Sequence, residues 1–352
     1  VKILRNPAPF ASSYWDIRWA LIFAFVFFAI GLLALFSRQN LLIVLTVATG
    51  GILILLPIFT IGAGIAYLTL ILLLLIACGA GEPMLRLLLG RKLPAGMERF
   101  VLSILIGLGV IAALVAVQGM LFAFNALVTW LGLAILVLAF VVPNLKHWFA
   151  ELIRLIQELR SAWSSGGHSG WALAFGILAV LWVPSWLIAL APANRYDEMT
   201  YHLVAPLFYL SKGGILPYPE GGMTVWMHYA EMLYTFALQT AGQPLPRMLH
   251  LLMGMSSALL VFLFGRRLVN ARVGMAAALL FVAAPVVGYE TATAYIDLFV
   301  TAYTTAFGFT LLVAWQERQP RWLLVAGVLG GLGLGTKLTT GPMIAVLIAA
   351  FV

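Results

Sequence analysis

About eleven runs of roughly 20 apolar residues follow one another along this chain, and a helix needs about that length to cross the hydrocarbon of a bilayer. They lie at 19–36, 41–57, 60–79, 100–123, 126–142, 171–191, 245–264, 273–289, 298–314 and 322–340. A last one opens at 341 and is still running at Phe351 and Val352. None shows the strict alternation of a membrane barrel strand, and backbone in lipid has to satisfy its own hydrogen bonds. The reading is an all-α polytopic membrane protein with about 10–11 transmembrane helices. Composition closes the soluble alternatives: 63% of the 352 residues are hydrophobic and 9% are charged, against roughly 45–50% and about a quarter in a soluble domain. The single cysteine, Cys78, leaves neither a disulfide framework nor a zinc–cysteine site.

The stretch 41–79 is too long for one span, and Pro57, Gly62 and Gly64 mark a turn within it. Residues 1–18 carry Trp15, Asp16 and Arg18, and no small-residue cleavage site follows the first span, so no cleavable signal is expected. The chain opens on Val1 and stops inside an apolar run, which reads as a piece of a longer protein.

The formal charge of +8 belongs to topology rather than to nucleic acid, because Lys and Arg collect in cytoplasmic loops and no basic run interleaved with aromatics is present. Placing 192–244 outside puts 13 of the 20 Lys and Arg in inner loops. In the second half these are Arg266, Arg267 and Arg272 in one turn and Arg318 and Arg321 in the next. Lys2, Arg5 and Arg18 fall outside on that count. Residues 145–160 show apolar positions at helical spacing with mixed charge, as in a helix lying along the inner interface or in a solvated connector. The short joint Ser164-Ser165-Gly166-Gly167 then divides the chain into a region 1–165 of unassigned role and a region 166–352.

Function is sought in the outer loop 192–244. Asp197 and Glu198 stand just past the sixth span, where a carboxylate near low-dielectric surroundings suits a general base for a hydroxyl or amine. Asp197 also suits the N-cap of a helix over 199–211, and the two roles are compatible. His228 and Glu231 make a lipid-facing helix over 224–240 unfavourable, so a helix at the outer surface is expected there. Asp197, Glu198, Glu220, Glu231, Glu290 and Asp297 all fall outside, against Arg195, Lys212, Arg247 and Lys337. Ionisable groups at such positions are functional by default. Lys337 ends the glycine-rich run Gly330-Gly331-Leu332-Gly333-Leu334-Gly335-Thr336. Glycines there admit a close neighbour, and the lysine suits either a lipid phosphate or simple snorkelling to the interface.

In its second half, roughly 171–352, the chain resembles the GT-C superfamily of polyprenyl-phosphate-sugar-dependent glycosyltransferases, in the branch of the protein O-mannosyltransferases and the aminoarabinose transferases of lipid A. The resemblance rests on Asp197-Glu198 with Tyr201, His202 and Pro206, then Glu231-Met232-Leu233-Tyr234. It continues through Arg272-Val273-Gly274 leading to Pro285, then Tyr295-Ile296-Asp297-Leu298, and ends at Gly333-Leu334-Gly335-Thr336-Lys337. In those relatives the acidic loop follows the first span, whereas here some five spans precede it.

The resemblance implies an inverting transfer of a sugar from a polyprenyl-phosphate carrier to a glycan, lipid or protein acceptor at the extracytoplasmic face of the cell membrane. Region 166–352 would then be the catalytic core. Asp197 would be the base, with Glu198 and Glu231 as further catalytic acids. Tyr201, His202, His228, Asp297 and Lys337 would bind substrate, with Lys337 beside the leaving phosphate. The lipid-linked sugar is a substrate rather than a cofactor; no metal site is expected from the residues, although some relatives use a divalent cation. Three other readings stay open: an inactive scaffold subunit of a membrane complex keeping this fold, a transporter, and a haem- or chlorophyll-binding subunit using His202, His228 and His250.

Overall fold

The computed structural model describes residues 63–90, 93–94, 96–146, 148, 150, 153, 168–217 and 228–351. The expected spans 19–36 and 41–57, the helix over 145–160 beyond its first residues, the joint 164–167 and Glu220 lie outside the described residues.

Two long apolar runs make the first hairpin. α1 (Gly64–Leu89) ends where Gly90 adopts φ 76°, the left-handed region open to glycine, and its N–H reaches the Arg86 carbonyl at 2.8 Å. α2 (Gly96–Met120) runs back alongside it. α3 (Ala126–Leu136) starts at Asn125, whose side chain accepts from the Val128 N–H at 2.9 Å, and continues through a π turn and a 3₁₀ turn to Asn144. α4 (His168–Ala189) precedes the outer loop, which holds a π-helical turn over Glu198–His202 and α5 (Val204–Lys212). After it come α6 (Tyr229–Thr240) and α7 (Pro244–Leu268).

α8 (Ala271–Ala283) is capped by Asn270, whose side-chain oxygen accepts from the N–H groups of Arg272 and Val273. At Ala284 the chain turns extended, and Pro285 opens the short α9 (Pro285–Glu290), where a missing N–H is no loss. α10 (Asp297–Glu317), α11 (Trp322–Thr336) and α12 (Thr340–Phe351) complete the bundle. Among the described residues five helices are long and apolar enough to cross a membrane, and no strand occurs. The all-α polytopic membrane fold therefore stands.

One buried cluster runs from α1 to α11. α7 and α10 are its centre: α7 packs on α8 and α10, and α10 on α11 and α12. Contacts cross the joint near 165 freely. The Tyr303 hydroxyl donates to the Leu105 carbonyl at 3.0 Å, the Trp186 indole N–H to the Tyr67 hydroxyl at 2.8 Å, and the Thr129 hydroxyl to Gln239 Oε1 at 2.8 Å. At one end of the bundle Glu98, on the first turn of α2, accepts from Arg266 at 2.9 Å and from Arg267 at 2.6 Å, and Arg267 also reaches Glu317 at 3.1 Å. These are the charges that the loop count placed on the inner side.

The structure departs from the sequence reading in several places, and the expected span 273–289 is broken at Ala284 into α8 and α9. α1 does not stop at residue 79 but runs to Leu89, because Glu82 and Arg86 pair one turn apart at 3.1 Å instead of breaking the helix. The second outer-loop helix, expected over 224–240, is described from Tyr229 and is enclosed by neighbouring helices. α6 is buried along Ala230–Ala237 between α2, α5 and α7, and its Thr235 and Thr240 hydroxyls turn back to the carbonyls of Glu231 and Phe236. Asp197 precedes the 198–202 turn but makes no capping hydrogen bond with its side chain.

Candidate active site

Asp197 and Glu198 are neighbours in sequence and face different surroundings, because successive residues of a helical turn project about 100° apart. Glu198 points inward and is fully buried. Its Oε1 accepts from Arg247 Nε at 2.7 Å and from the Ala294 N–H at 2.5 Å. Its Oε2 accepts from Arg247 Nη2 at 2.6 Å and from the N–H groups of Arg195 and Asn194 at 2.9 and 3.1 Å. Arg247 spends its remaining donors on the Ala191 carbonyl at 3.0 Å and Asn194 Oδ1 at 3.1 Å. Burial alone would raise the Glu198 carboxyl, but the Arg247 guanidinium and the backbone N–H groups outweigh it and hold it below its ordinary value.

Asp197 is half-buried, with Tyr201 and Tyr295 close to it. Burial first, and then the nearby Asp197 carboxylate, keep the Tyr201 phenol protonated well above its usual range. Asp297 lies on the first turn of α10, where the helix dipole favours an anion. It pairs with Lys337 Nζ at 2.9 Å, and both side chains are about two-fifths exposed, at 45% and 35%. Glu290 completes the group. Burial first, then Asp297 and Asp197, push its carboxyl up to about 7 against the pull of Lys337, and its Oε2 is buried with no hydrogen-bond partner.

Lys337 reaches this position because α11 packs tightly. A Cβ on Gly333 would stand 2.8 Å from Thr340 Cγ2 and 3.3 Å from Tyr303 Cβ, so glycine there lets the chain fold back from α11 into α12 directly after the lysine.

Behind this group lies a second, buried one. Glu231 Oε1 accepts from His202 Nδ1 at 2.8 Å, and its Oε2 stands 3.8 Å from His228 Nδ1. The His202 ring packs against Tyr201 (centroids 4.2 Å apart) and Tyr295 (5.9 Å), so it joins the buried pair to the exposed acids.

The loop between α9 and α10 ties the site together. Four elements hold it: Ser185 on α4 through Thr291 at 2.9 Å, Glu198 through the Ala294 N–H, Tyr234 on α6 donating to the Tyr295 carbonyl, and His250 on α7.

Of the residues read from the sequence, Asp197, Tyr201, Asp297 and Lys337 come together at one end of the bundle. His202 and Glu231 stand directly behind them with His228, and Glu198 is directed away into the protein. Sequence reasoning did not assign Arg247, Tyr234 or His250 a place in the site. Arg247 carried a usable signal, since a lone arginine in an apolar span needs a buried partner. His250 follows one turn later on the same helix. Its Nδ1 donates to the carbonyls of Glu290 and Thr293 at 2.9 and 3.0 Å, and its Nε2 accepts from the Leu298 N–H at 3.0 Å. With both ring nitrogens engaged, it has no lone pair for a haem iron or chlorophyll. Among the described residues no group of three His, Cys, Asp or Glu side chains is gathered as a metal site.

This geometry gathers the carboxylates of Asp197, Glu290 and Asp297 with the ammonium group of Lys337 at one end of the bundle. Residues 233–352 match the family of dolichyl-phosphate-mannose-protein mannosyltransferases. That family is of the GT-C type, so the similarity seen in the motifs extends to a family model over about a third of the chain. The mannosyltransferase-like segment contains Tyr234, Arg247, His250, Glu290, Tyr295, Asp297 and Lys337. Asp197, Glu198, Tyr201, His202, His228 and Glu231 precede it. No curated protein and no solved structure matches the chain. The mannosyltransferase-like segment and the five apolar helices support a multi-pass membrane glycosyltransferase that uses a polyprenyl-phosphate sugar.

Proposed function

We propose that the chain transfers a sugar from a polyprenyl-phosphate carrier to an acceptor hydroxyl or amine at the extracytoplasmic face, with inversion at the anomeric carbon. The observation that carries this reading is the meeting of Asp197 and Glu290 with the Lys337–Asp297 pair at the end of the bundle opposite the Glu98–Arg267 cluster.

In this reaction Asp197 takes the acceptor proton as the acceptor heteroatom bonds to the anomeric carbon. The bond from that carbon to the phosphate oxygen breaks, and its electron pair leaves with the polyprenyl phosphate. Negative charge grows on that oxygen, and an ammonium group beside it is worth most in such a partly desolvated place; Lys337 supplies it. Glu198 stays ionised against Arg247 and holds the loop that presents Asp197. Glu231 fixes the His202 ring behind Tyr201.

The test uses detergent-solubilised protein with polyprenyl-phosphate mannose, measuring release of the polyprenyl phosphate and capture of the sugar. Asp197→Asn keeps the size of the side chain and removes the base, so turnover is expected to fall by about 10²–10⁴ with carrier binding retained. Turnover at the original rate in Asp197→Asn would end the assignment.

A further inference from the structure

We infer that His250 is a positioning residue of this site: from inside the bundle it sets the loop 290–298, and through it the carboxylates of Glu290 and Asp297. The inference rests on the glycosyl-transfer reading for its kinetic consequence, but not for its structural one. The His250 side chain is fully buried on α7 and stacks on Phe299 of α10, with centroids 6.1 Å apart and planes 19° from parallel. Its hydrogen bonds fix its state. Carbonyl oxygens can only accept, so Nδ1 carries the proton and is shared between Glu290 and Thr293. A backbone N–H can only donate, so Nε2 is the acceptor for Leu298.

One neutral ring thus holds both ends of the loop at once: the last residue of α9 and the first turn of α10, directly after Asp297. The Glu290 carbonyl also accepts from the N–H and hydroxyl of Thr293, at 3.1 and 3.0 Å, but the Thr293 carbonyl and the Leu298 N–H take their hydrogen bonds from this ring. A buried backbone group left without a partner is costly, so the ring favours the one loop placement that satisfies both. No other described side chain contacts both ends of this loop by hydrogen bonds. Glu198 takes only Ala294, and Tyr234 only the Tyr295 carbonyl.

The test compares two substitutions in the full chain. His250→Phe keeps a flat ring against Phe299 and removes all three hydrogen bonds. His250→Gln offers an amide whose NH₂ can donate to both carbonyls and whose oxygen can accept from Leu298. Amide hydrogen exchange read by mass spectrometry, without any substrate, is expected to speed up at least about tenfold in the peptide spanning 290–298 of His250→Phe. Peptides from α1 and α2 should be unchanged, and His250→Gln should restore most of the protection.

With polyprenyl-phosphate mannose, kcat of His250→Phe is expected to fall about tenfold, with KM for the carrier within about twofold, and His250→Gln to recover it. Faster exchange spread evenly over the protein, unchanged exchange in the loop, or a faster-exchanging loop with unaltered kcat would each overturn the inference. If the unsubstituted protein transfers no sugar, the transfer reading fails, and the exchange pattern alone decides whether His250 sets the loop. Should His250→Phe not fold, His250→Asn retains the donor and drops the Leu298 contact, and it carries the same comparison.

Discussion

Glu198 and Arg247 show how a pair of charges is kept inside an apolar bundle. Taking either ion from water is expensive, and the Coulombic gain repays it only when every lone pair and proton is also used. Here the carboxylate receives five hydrogen bonds and the guanidinium spends its remaining donors on carbonyls and Asn194. Arg247→Met should therefore leave a buried, half-satisfied carboxylate and destabilise the fold by about 3–5 kcal/mol, seen as a large drop in the thermal midpoint in detergent. Arg247→Lys should fall between the two, because an ammonium group cannot offer the two parallel donors of the fork. A midpoint equal to that of the unsubstituted protein in Arg247→Met would show that the pair carries no stability. The acids of the site were legible in the sequence because a carboxylate in an apolar chain stands out. Which of two adjacent acids faces solvent was not. That depends on Arg247, 49 residues away, and on the N–H of Ala294, 96 residues away, and no local pattern encodes such pairings.

At the scale of the helices, apolar periodicity found nearly every described span, since a 20-residue apolar run has few other uses. It failed at ends and at insertions. α1 continues through Glu82 and Arg86 because the helix outlasts its apolar run, and α6 is buried although polar because its hydroxyls bond to its own carbonyls. Helix-to-helix distance was beyond reach as well, and it is set by small residues. A Cβ on Gly107 of α2 would stand 1.8 Å from the Ala77 carbonyl oxygen of α1, and one on Gly81 equally close to the Ser103 carbonyl oxygen. Only glycine permits backbones to approach so closely. Gly107→Ala is expected to push α1 and α2 apart and to destabilise by about 1–3 kcal/mol or more. Gly327→Ala on α11, where a Cβ meets nothing within 4 Å, should be neutral or slightly stabilising, because alanine is the better helix former. Equal thermal midpoints for the two variants would contradict the close crossing.

Among the described residues the charges separate into an arginine-rich end, neutralised by Glu98 and Glu317, and an acidic end where Asp297 pairs with Lys337 and, deeper in, Glu198 pairs with Arg247. The two ends are expected to respond to pH differently, and the acidic end holds two carboxyls shifted in opposite directions. Glu198 is held below its ordinary value of 4.5, so the stability it contributes is present above that value and is lost as pH falls through its folded value. Glu290 is raised from 4.5 to about 7, so the folded state binds the proton more tightly than the unfolded one. Its contribution is fully present below about pH 4.5, declines as pH rises between 4.5 and 7, and is gone above. The thermal midpoint is therefore expected to peak in mildly acidic solution and to decline toward neutrality. Glu290→Gln removes the titrating group while keeping its shape, so it should flatten the limb between 4.5 and 7 and leave the acid limb, which belongs to Glu198, in place. Thermal unfolding in detergent at half-unit steps of pH reads both limbs in one series. A neutral limb that persists in Glu290→Gln would assign it to another group and remove Glu290 from the electrostatics of the site.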